Sequence, residues 1–169
     1  MNIALIGFRG TGKTSVGKLL AKSLDKKLIS TDEEVIKKIK ASIPNFVKRY
    51  DLEKLREIET EVIEHISDSD ECIFDAGFGI VMRNENILNL KKNSLIILLT
   101  ADIRTIAKRI KMGEGKPLID SNFISGIKAT LREYEPRYKK AADYSIGTSG
   151  LSPEEACDLI LHYVQMELE

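Results

Sequence analysis

Short apolar runs alternate along the chain with segments whose apolar residues recur at helical spacing. Runs such as SLIILLT predict buried strands, and segments such as KTSVGKLLAKSL predict amphipathic helices. We predict strands at residues 2–7, 26–31, 72–76, 94–100 and 144–149. We predict helices at residues 13–24, 32–41, 51–66, 84–92, 102–112, 121–142 and 152–168. This alternation indicates an α/β fold, in which helices cover both faces of a mostly parallel sheet.

Composition narrows the class of protein. A length of 169 residues predicts one domain, spanning 1–169. The 26 basic and 26 acidic side chains leave no net charge, which argues against binding to nucleic acid or to an anionic membrane. The longest apolar run is too short to span a bilayer and no signal peptide is visible, so we expect a cytoplasmic protein. We also expect it to be a monomer. Cys72 and Cys157 have neither disulfide nor metal-ligand spacing, and we expect buried thiols.

One motif carries clear chemistry. The segment GFRGTGKT, residues 7–14, matches the phosphate-binding loop pattern and lies between a predicted strand and a predicted helix. Glycines let successive backbone N–H groups point at phosphate oxygens, while Lys13 reaches the β- and γ-phosphates and Thr14 ligates Mg²⁺. The sequence therefore predicts a site for ATP and Mg²⁺. Nucleotide contacts are expected from Gly10, Thr11, Gly12, Lys13, Thr14 and Ser15.

The phosphate-binding loop alone does not separate a kinase from a GTPase or an ATPase. The guanine-reading Asn-Lys-x-Asp of GTPases is absent after the fourth predicted strand, and the chain is short for a motor ATPase. The segment MGEGKPLIDS, residues 112–121, reads instead as a mobile loop. A small phosphate-loop domain with such a loop favours a small-molecule kinase whose lid closes over ATP.

At this point the sequence resembles the shikimate kinases over nearly its whole length. The similarity lies in GFRGTGKTSVGKLLAKSL, STDEEVI, LREIE, AGFGIV, KPLI and EPRYKKAADYSI. The resemblance implies a three-layer P-loop kinase fold with a five-stranded parallel sheet of order 2-3-1-4-5. It also implies a substrate-binding helical region at about 32–66 and a lid at about 111–123. The implied reaction transfers the γ-phosphoryl group of ATP to the 3-hydroxyl of shikimate.

The same resemblance assigns roles to particular residues. It implies that Asp32 positions the attacking hydroxyl, that Arg56 pairs with the substrate carboxylate, and that Arg109 stacks on adenine. It places Lys116 at the position of the lid cation, so that the implied catalytic residues are Lys13, Asp32 and Lys116. The implied substrate-binding set is Asp32, Arg56, Gly77, Phe78, Gly79, Arg132 and Tyr134.

This chain departs from the family pattern at four positions. Ser30 replaces the first acid of Asp-x-Asp, Phe78 replaces the central glycine of a triplet, and Lys116 replaces an arginine. Tyr134 stands where the family has a second arginine for the substrate carboxylate. The nearby residues Arg132 and Arg137 are candidates to replace that arginine.

Asp75 ends the third predicted strand, which in the implied sheet order lies beside the strand of the phosphate-binding loop. A carboxylate there can hold a water on Mg²⁺ while Thr14 holds the ion. We hypothesise that Asp75 supplies the charge that Ser30 lacks, which makes Thr14 and Asp75 the predicted metal residues.

Structural roles remain open for several of these residues. Asp32 could cap the helix that follows it, Arg56 could be a solvent-facing residue paired with Glu53 or Glu59, and Arg109 could be surface charge. Two other functions also remain open. One is a P-loop kinase for another hydroxy acid or a nucleotide, and the other is a nucleotide-binding regulatory module without kinase activity.

Overall fold

The strands of the protein form one parallel sheet. The computed structural model describes residues 1–115 and 119–169. Its strands are β1 (Asn2–Ile6), β2 (Lys27–Ser30), β3 (Cys72–Asp75), β4 (Ser94–Thr100) and β5 (Tyr144–Gly147). The sheet order is β2-β3-β1-β4-β5, and each neighbouring pair is parallel. The predicted fold class and strand order are confirmed.

Helices connect the strands and cover both faces of the sheet. They are α1 (Lys13–Ser23), α2 (Thr31–Ile39), α3 (Ile43–Arg49), α4 (Leu52–Ile66), α5 (Asn84–Lys91), α6 (Ile103–Gly113), α7 (Ser121–Ala141) and α8 (Pro153–Leu168), with a 3₁₀ turn at Ile80–Met82. The alternation of side chains along β1 shows how the two faces are filled. Ile3 and Leu5 pack on the face covered by α1 and α8, while Ala4 and Ile6 pack on the opposite face.

Two features of the fold differ from the expectations. Helix α3 was not predicted, because its seven residues are too few to show a period. It is capped by Ser42, whose side chain accepts a hydrogen bond from the backbone N–H of Asn45. The cap of α2 is Ser30 and not Asp32, since the Ser30 hydroxyl accepts from the backbone N–H of Glu33 at 3.3 Å. Asp32 therefore lies within the first turn of α2, where its carboxylate is not used as a cap.

Ser152 caps α8 in a reciprocal capping box with Glu155. The expectation of buried thiols is confirmed, since Cys72 and Cys157 are both buried and free. No helix within the described residues has both the length and the apolar character needed to cross a membrane.

Candidate active site

The phosphate-binding loop joins β1 to α1 at the carboxyl edge of the sheet. Gly10 and Gly12 adopt positive φ angles of 76° and 100°, a region that side chains with a Cβ rarely occupy. The hydroxyl of Thr11 donates to the carbonyl oxygen of Phe8 at 2.8 Å and holds the loop closed on itself. The loop leads directly into α1, and the backbone N–H groups and dipole at the N-terminus of this helix favour a bound anion.

Lys13 is buried at the start of α1. Its ammonium group donates to the carbonyl oxygens of Gly7 and Phe8, both at 2.9 Å. Burial lowers the pKa of Lys13 from 10.5 to about 8, although the charges of Asp75 and Asp32 act in the opposite direction. The lysine is thus held inside the loop, where it can stabilise charge on a phosphate.

Thr14 and Asp75 are joined directly. The Thr14 hydroxyl donates to Oδ2 of Asp75 at 2.6 Å. Asp75 is buried at the end of β3, in register with Leu5 of β1 and Ser30 of β2. Two neighbouring strands therefore fix the carboxylate beside the first turn of α1.

The oxygen atoms of Thr14 and Asp75 suit Mg²⁺, which prefers hard oxygen ligands and retains several waters. Across residues 1–115 and 119–169, no three His, Cys, Asp or Glu side chains converge to form a metal cage. An ion at Thr14 would therefore need oxygens from water and from a nucleotide to complete its coordination. This is the usual arrangement where Mg²⁺ is bound together with substrate phosphates.

Asp32 packs against the backbone of Gly77. A Cβ atom on Gly77 would overlap Oδ1 of Asp32, so only glycine allows this approach. The backbone N–H of Gly77 donates to the Thr31 hydroxyl at 2.8 Å, which fixes the strand-end loop against α2. Burial raises the pKa of Asp32, and the nearby charge of Asp75 acts in the same direction. A carboxylate with a raised pKa is suited to accept a proton.

Arg56 lies on α4 and is buried, with only 7% of its surface exposed. Its Nη1 atom donates to both carboxylate oxygens of Glu59, at 2.9 and 2.7 Å. The alternative of a solvent-facing Arg56 is therefore wrong, although its pairing with Glu59 is confirmed. Glu53, the other suggested partner, forms an ion pair with Arg83.

Two further residues border the Arg56 guanidinium. A Cβ atom on Gly79 would overlap the guanidinium, so this glycine also makes room for a functional side chain. Nη2 of Arg56 donates to the hydroxyl of Tyr134 at 3.4 Å. The three residues come from α4, the loop after β3 and α7, and only the tertiary structure brings them together.

Aromatic rings surround Tyr134. The Phe78 ring lies 5.6 Å from the Tyr134 ring and 5.7 Å from the Phe8 ring, measured between centroids. The hydroxyl of Tyr138 donates to the carbonyl oxygen of Phe78. Phe78 thus forms an aromatic wall between the phosphate-binding loop and Tyr134.

A cleft of about 720 Å³ runs along the phosphate-binding loop. All six predicted nucleotide contacts from residues 10–15 line it, as do Asp32, Asp75, Gly77 and Phe78. Its other end is lined by Arg109, Thr148, Leu151 and Pro153. The volume lies within the range of ligand sites, roughly 300–1,000 Å³.

Arg109 is half-buried and fixed between two loops, so the alternative of a free surface charge is wrong. Its Nη1 atom donates to the carbonyl oxygen of Gly10 at 3.2 Å and to the Thr148 hydroxyl at 3.0 Å, and Nη2 donates to the Thr148 carbonyl oxygen at 3.1 Å. Sequence reasoning missed Thr148. Its place at the end of β5 was the available signal, because ligands bind at the carboxyl edge of parallel sheets.

The structure separates Arg132 from the other predicted substrate residues, which corrects that expectation. Arg132 is exposed and lines a second cleft, whereas Tyr134 is buried beside Arg56. Side chains two positions apart on a helix point roughly 200° apart, which accounts for the separation. Arg137 is exposed and lines neither cleft. Lys116, the predicted lid cation, lies outside the described residues.

The sheet order and the phosphate-binding loop define the class: the protein has the P-loop kinase fold. A model of the shikimate kinase family matches residues 9–165. The chain is 39% identical to a shikimate kinase from Caldicellulosiruptor bescii over 95% of this chain and 93% of the relative. It is also 39% identical to one from Thermodesulfovibrio yellowstonii, over 95% and 92%. The chain therefore belongs to the shikimate kinase family.

Solved structures agree with this assignment. The shikimate kinase of Acinetobacter baumannii in complex with shikimate is 25% identical, with a TM-score of 0.89 over 98% of this chain and 93% of that chain. The shikimate kinase of Aquifex aeolicus is 28% identical, with a TM-score of 0.86 over 99% and 98%.

Proposed function

We propose that the protein is a shikimate kinase, which transfers the γ-phosphoryl group of ATP to the 3-hydroxyl of shikimate. One structural relationship supports this beyond the family assignment. Gly77 and Gly79 bring the loop after β3 against Asp32 and Arg56, beside the phosphate-binding loop. A hydroxyl-binding carboxylate and a carboxylate-binding guanidinium thus lie next to a site for ATP.

In the proposed reaction, the phosphate-binding loop and Lys13 hold the β- and γ-phosphates and Asp32 orients the attacking hydroxyl. The new bond joins the substrate oxygen to the γ-phosphorus, while the bond from that phosphorus to the β,γ-bridging oxygen breaks and ADP leaves. The hydroxyl proton passes to Asp32, whose raised pKa favours its acceptance. Positioning and charge stabilisation supply the rate, as is general for phosphoryl transfer.

The metal would be held by the Thr14 oxygen, with Asp75 behind it. When bound there, Mg²⁺ neutralises charge on the β- and γ-phosphates. Because the Thr14 hydroxyl donates its hydrogen bond to Asp75, the lone pairs of its oxygen are free for the ion. We propose that Arg109 borders the adenine, and that Lys116 supplies the lid cation through the segment at about 111–123.

The acceptor carboxylate would bind to Arg56 and Tyr134. The Tyr134 hydroxyl accepts from Arg56, and nothing in the described part of the chain accepts the phenolic proton in return. That proton can therefore be donated to a substrate oxygen. Tyr134 thus takes over part of the task of the arginine at this position in the family, as a neutral donor.

The test is a coupled assay of ADP release with MgATP and a panel of acceptors: shikimate, quinate, gluconate and nucleoside monophosphates. Turnover with shikimate alone supports the proposal. Turnover with another acceptor would instead identify a kinase for a different hydroxy acid or a nucleotide, and ATP binding without turnover would identify a regulatory module. Lys13→Ala is the negative control. Light scattering checks the expected monomer.

A further inference from the structure

A second cleft lies on the far side of the phosphate-binding loop. It has a volume of about 310 Å³ and is bounded by the carboxyl end of β4, the start of α6 and the middle of α7. Among the described residues that line the two clefts, only Thr11 is common to both. Nothing in the proposed phosphoryl transfer uses this cleft. Its volume is at the lower end of the range for small-molecule sites, roughly 300–1,000 Å³.

The floor of the second cleft is apolar. It is formed by Phe8, Leu98, Ile103, Ile106, Leu131 and the ring of Tyr138. The Tyr138 hydroxyl is already bonded to the Phe78 carbonyl oxygen, so this residue contributes mainly its ring. An occupant must therefore have an apolar body that removes this surface from water.

Two cations stand at the rim of the cleft. Lys128 and Arg132 are four residues apart on α7, which places them on the same face of the helix. Both are exposed, and neither forms an ion pair or a side-chain hydrogen bond with any residue in the described ranges. Two positive groups are therefore available at one side of an apolar floor.

The carboxylates at the same rim are already engaged. Asp102 accepts from the backbone N–H of Thr105 at 2.9 Å and from its hydroxyl at 2.8 Å. Glu135 forms an ion pair with Lys139 at 3.1 Å. Asp102 keeps its negative charge beside the start of α6, because its partners are neutral, whereas the charge of Glu135 is paired with Lys139. The α7 side of the rim, where Lys128 and Arg132 are unpaired within the described ranges, is therefore positive and complements an anion.

We propose that the second cleft binds a small carboxylate with an apolar body. The body lies on Phe8, Ile106 and Leu131, and the carboxylate contacts Lys128 and Arg132. This assigns a role to Arg132 that does not depend on the acceptor site, and the inference stands whether or not shikimate is the acceptor.

Binding in this cleft would be coupled to binding of ATP through Phe8. The Phe8 carbonyl oxygen accepts from both Lys13 and Thr11, and the Thr11 carbonyl oxygen accepts from the Thr148 hydroxyl at 2.7 Å. A ligand on the Phe8 ring therefore contacts a residue that positions Lys13. Any such coupling is reciprocal, so that each ligand changes the affinity of the other by the same factor.

The test uses benzoate as the probe and uncharged benzamide as its isostere, with the full-length protein labelled at its isoleucine and leucine methyl groups. We expect saturable NMR shifts of the Leu98, Ile106 and Leu131 methyl groups with benzoate and much weaker binding of benzamide. Arg132→Gln and Lys128→Gln should each weaken benzoate binding by about threefold to tenfold, the range for loss of one charged hydrogen bond at an exposed site. Arg137→Gln, a matched exposed arginine on the same helix, should leave benzoate binding unchanged.

Other results would overturn the inference. Shifts confined to Ile63 and Ile80, near Gly77 and Gly79, would mean that benzoate occupies the acceptor site. Equal affinity for benzamide, or an Arg132→Gln protein that binds benzoate normally, would remove the role of the cations. The coupling is overturned if a non-hydrolysable ATP analogue leaves the benzoate affinity unchanged.

Discussion

The Thr14 hydroxyl donates a hydrogen bond to Oδ2 of Asp75 at 2.6 Å. This contact joins the first turn of α1 to the end of β3, across 61 positions of sequence. Asp75 cannot move far, because β1 and β2 pair with β3 on either side of it. The carboxylate therefore sets the orientation of the Thr14 hydroxyl, the predicted ligand of the metal ion.

Asp75→Asn should raise the Mg²⁺ concentration needed for half-maximal rate and lower kcat by about 10-fold to 100-fold, the usual cost of losing a group that orients a metal ligand. The amide loses the negative charge beside the ion. The measurement is kcat as a function of free Mg²⁺. Asp158→Asn, an exposed acid on α8, is the control. If neither the Mg²⁺ requirement nor kcat changes, Asp75 is only a strand-end acid.

Ser30 and Asp75 form a register pair across β2 and β3, so their side chains can be exchanged. Asp75→Ser should lose most activity, and adding Ser30→Asp should restore a substantial part of it by returning a carboxylate to the same edge of the sheet. The exchange also keeps the cap of α2, since aspartate caps helices as well as serine does. The check is a double-mutant cycle on kcat, in which additive losses would refute the exchange.

The sequence predicts those features of the protein that neighbouring residues determine. It does not predict features that depend on contacts between elements far apart in the chain. The position of Asp75 beside the phosphate-binding loop could be predicted, because the local apolar pattern gives the end of its strand and the sheet order places that strand next to β1. The burial of Arg56 could not, because it depends on Gly79 and Tyr134, which come from other elements. The helical period places Arg132 and Tyr134 on opposite faces of α7, but only the packing of α7 decides that Tyr134 is the one beside Arg56. Local periodicity does not carry such information.

Gly77→Ala and Gly79→Ala should impair different steps. The new methyl group displaces Asp32 in the first variant and the Arg56 guanidinium in the second. We expect Gly77→Ala to lower kcat mainly and Gly79→Ala to raise KM for the acceptor mainly, each by at least about tenfold, because an angstrom of misplacement at a reacting group is costly. The readout is steady-state kinetics with both substrates. Gly126→Ala, where a methyl group meets nothing within 4 Å, is the matched control.

Tyr134→Phe should raise KM for the acceptor by about tenfold to 100-fold and leave kcat and KM for ATP nearly unchanged, because a hydrogen bond to a charged group contributes roughly 1.5–3 kcal/mol. The ring and its packing on Phe78 are retained. Tyr163→Phe is the control, since this ring stacks on Tyr144 at 4.5 Å, outside the residues that line either cleft. An unchanged acceptor KM in Tyr134→Phe would show that Tyr134 only packs.

ATP affinity should depend on pH through Lys13, whose pKa of about 8 lies below its usual 10.5. Below about pH 8 the lysine is already charged in the free protein. Above it, ATP must bind together with a proton, so affinity should fall by up to about tenfold per pH unit. Phosphate groups titrate near pH 6 and do not obscure this window.

Stability should change in the opposite direction over the same window. Between about pH 8 and pH 10.5 the unfolded chain keeps a proton on Lys13 that the folded protein has lost, so this group's contribution to the free energy of unfolding rises with pH.

The proton uptake that accompanies ATP binding above about pH 8 is measured directly by calorimetric titration with ATP in buffers of different ionisation enthalpy. Lys13→Arg stays charged and should abolish the uptake, whereas Lys22→Arg should keep it. Uptake that persists in Lys13→Arg would assign the titration to another group.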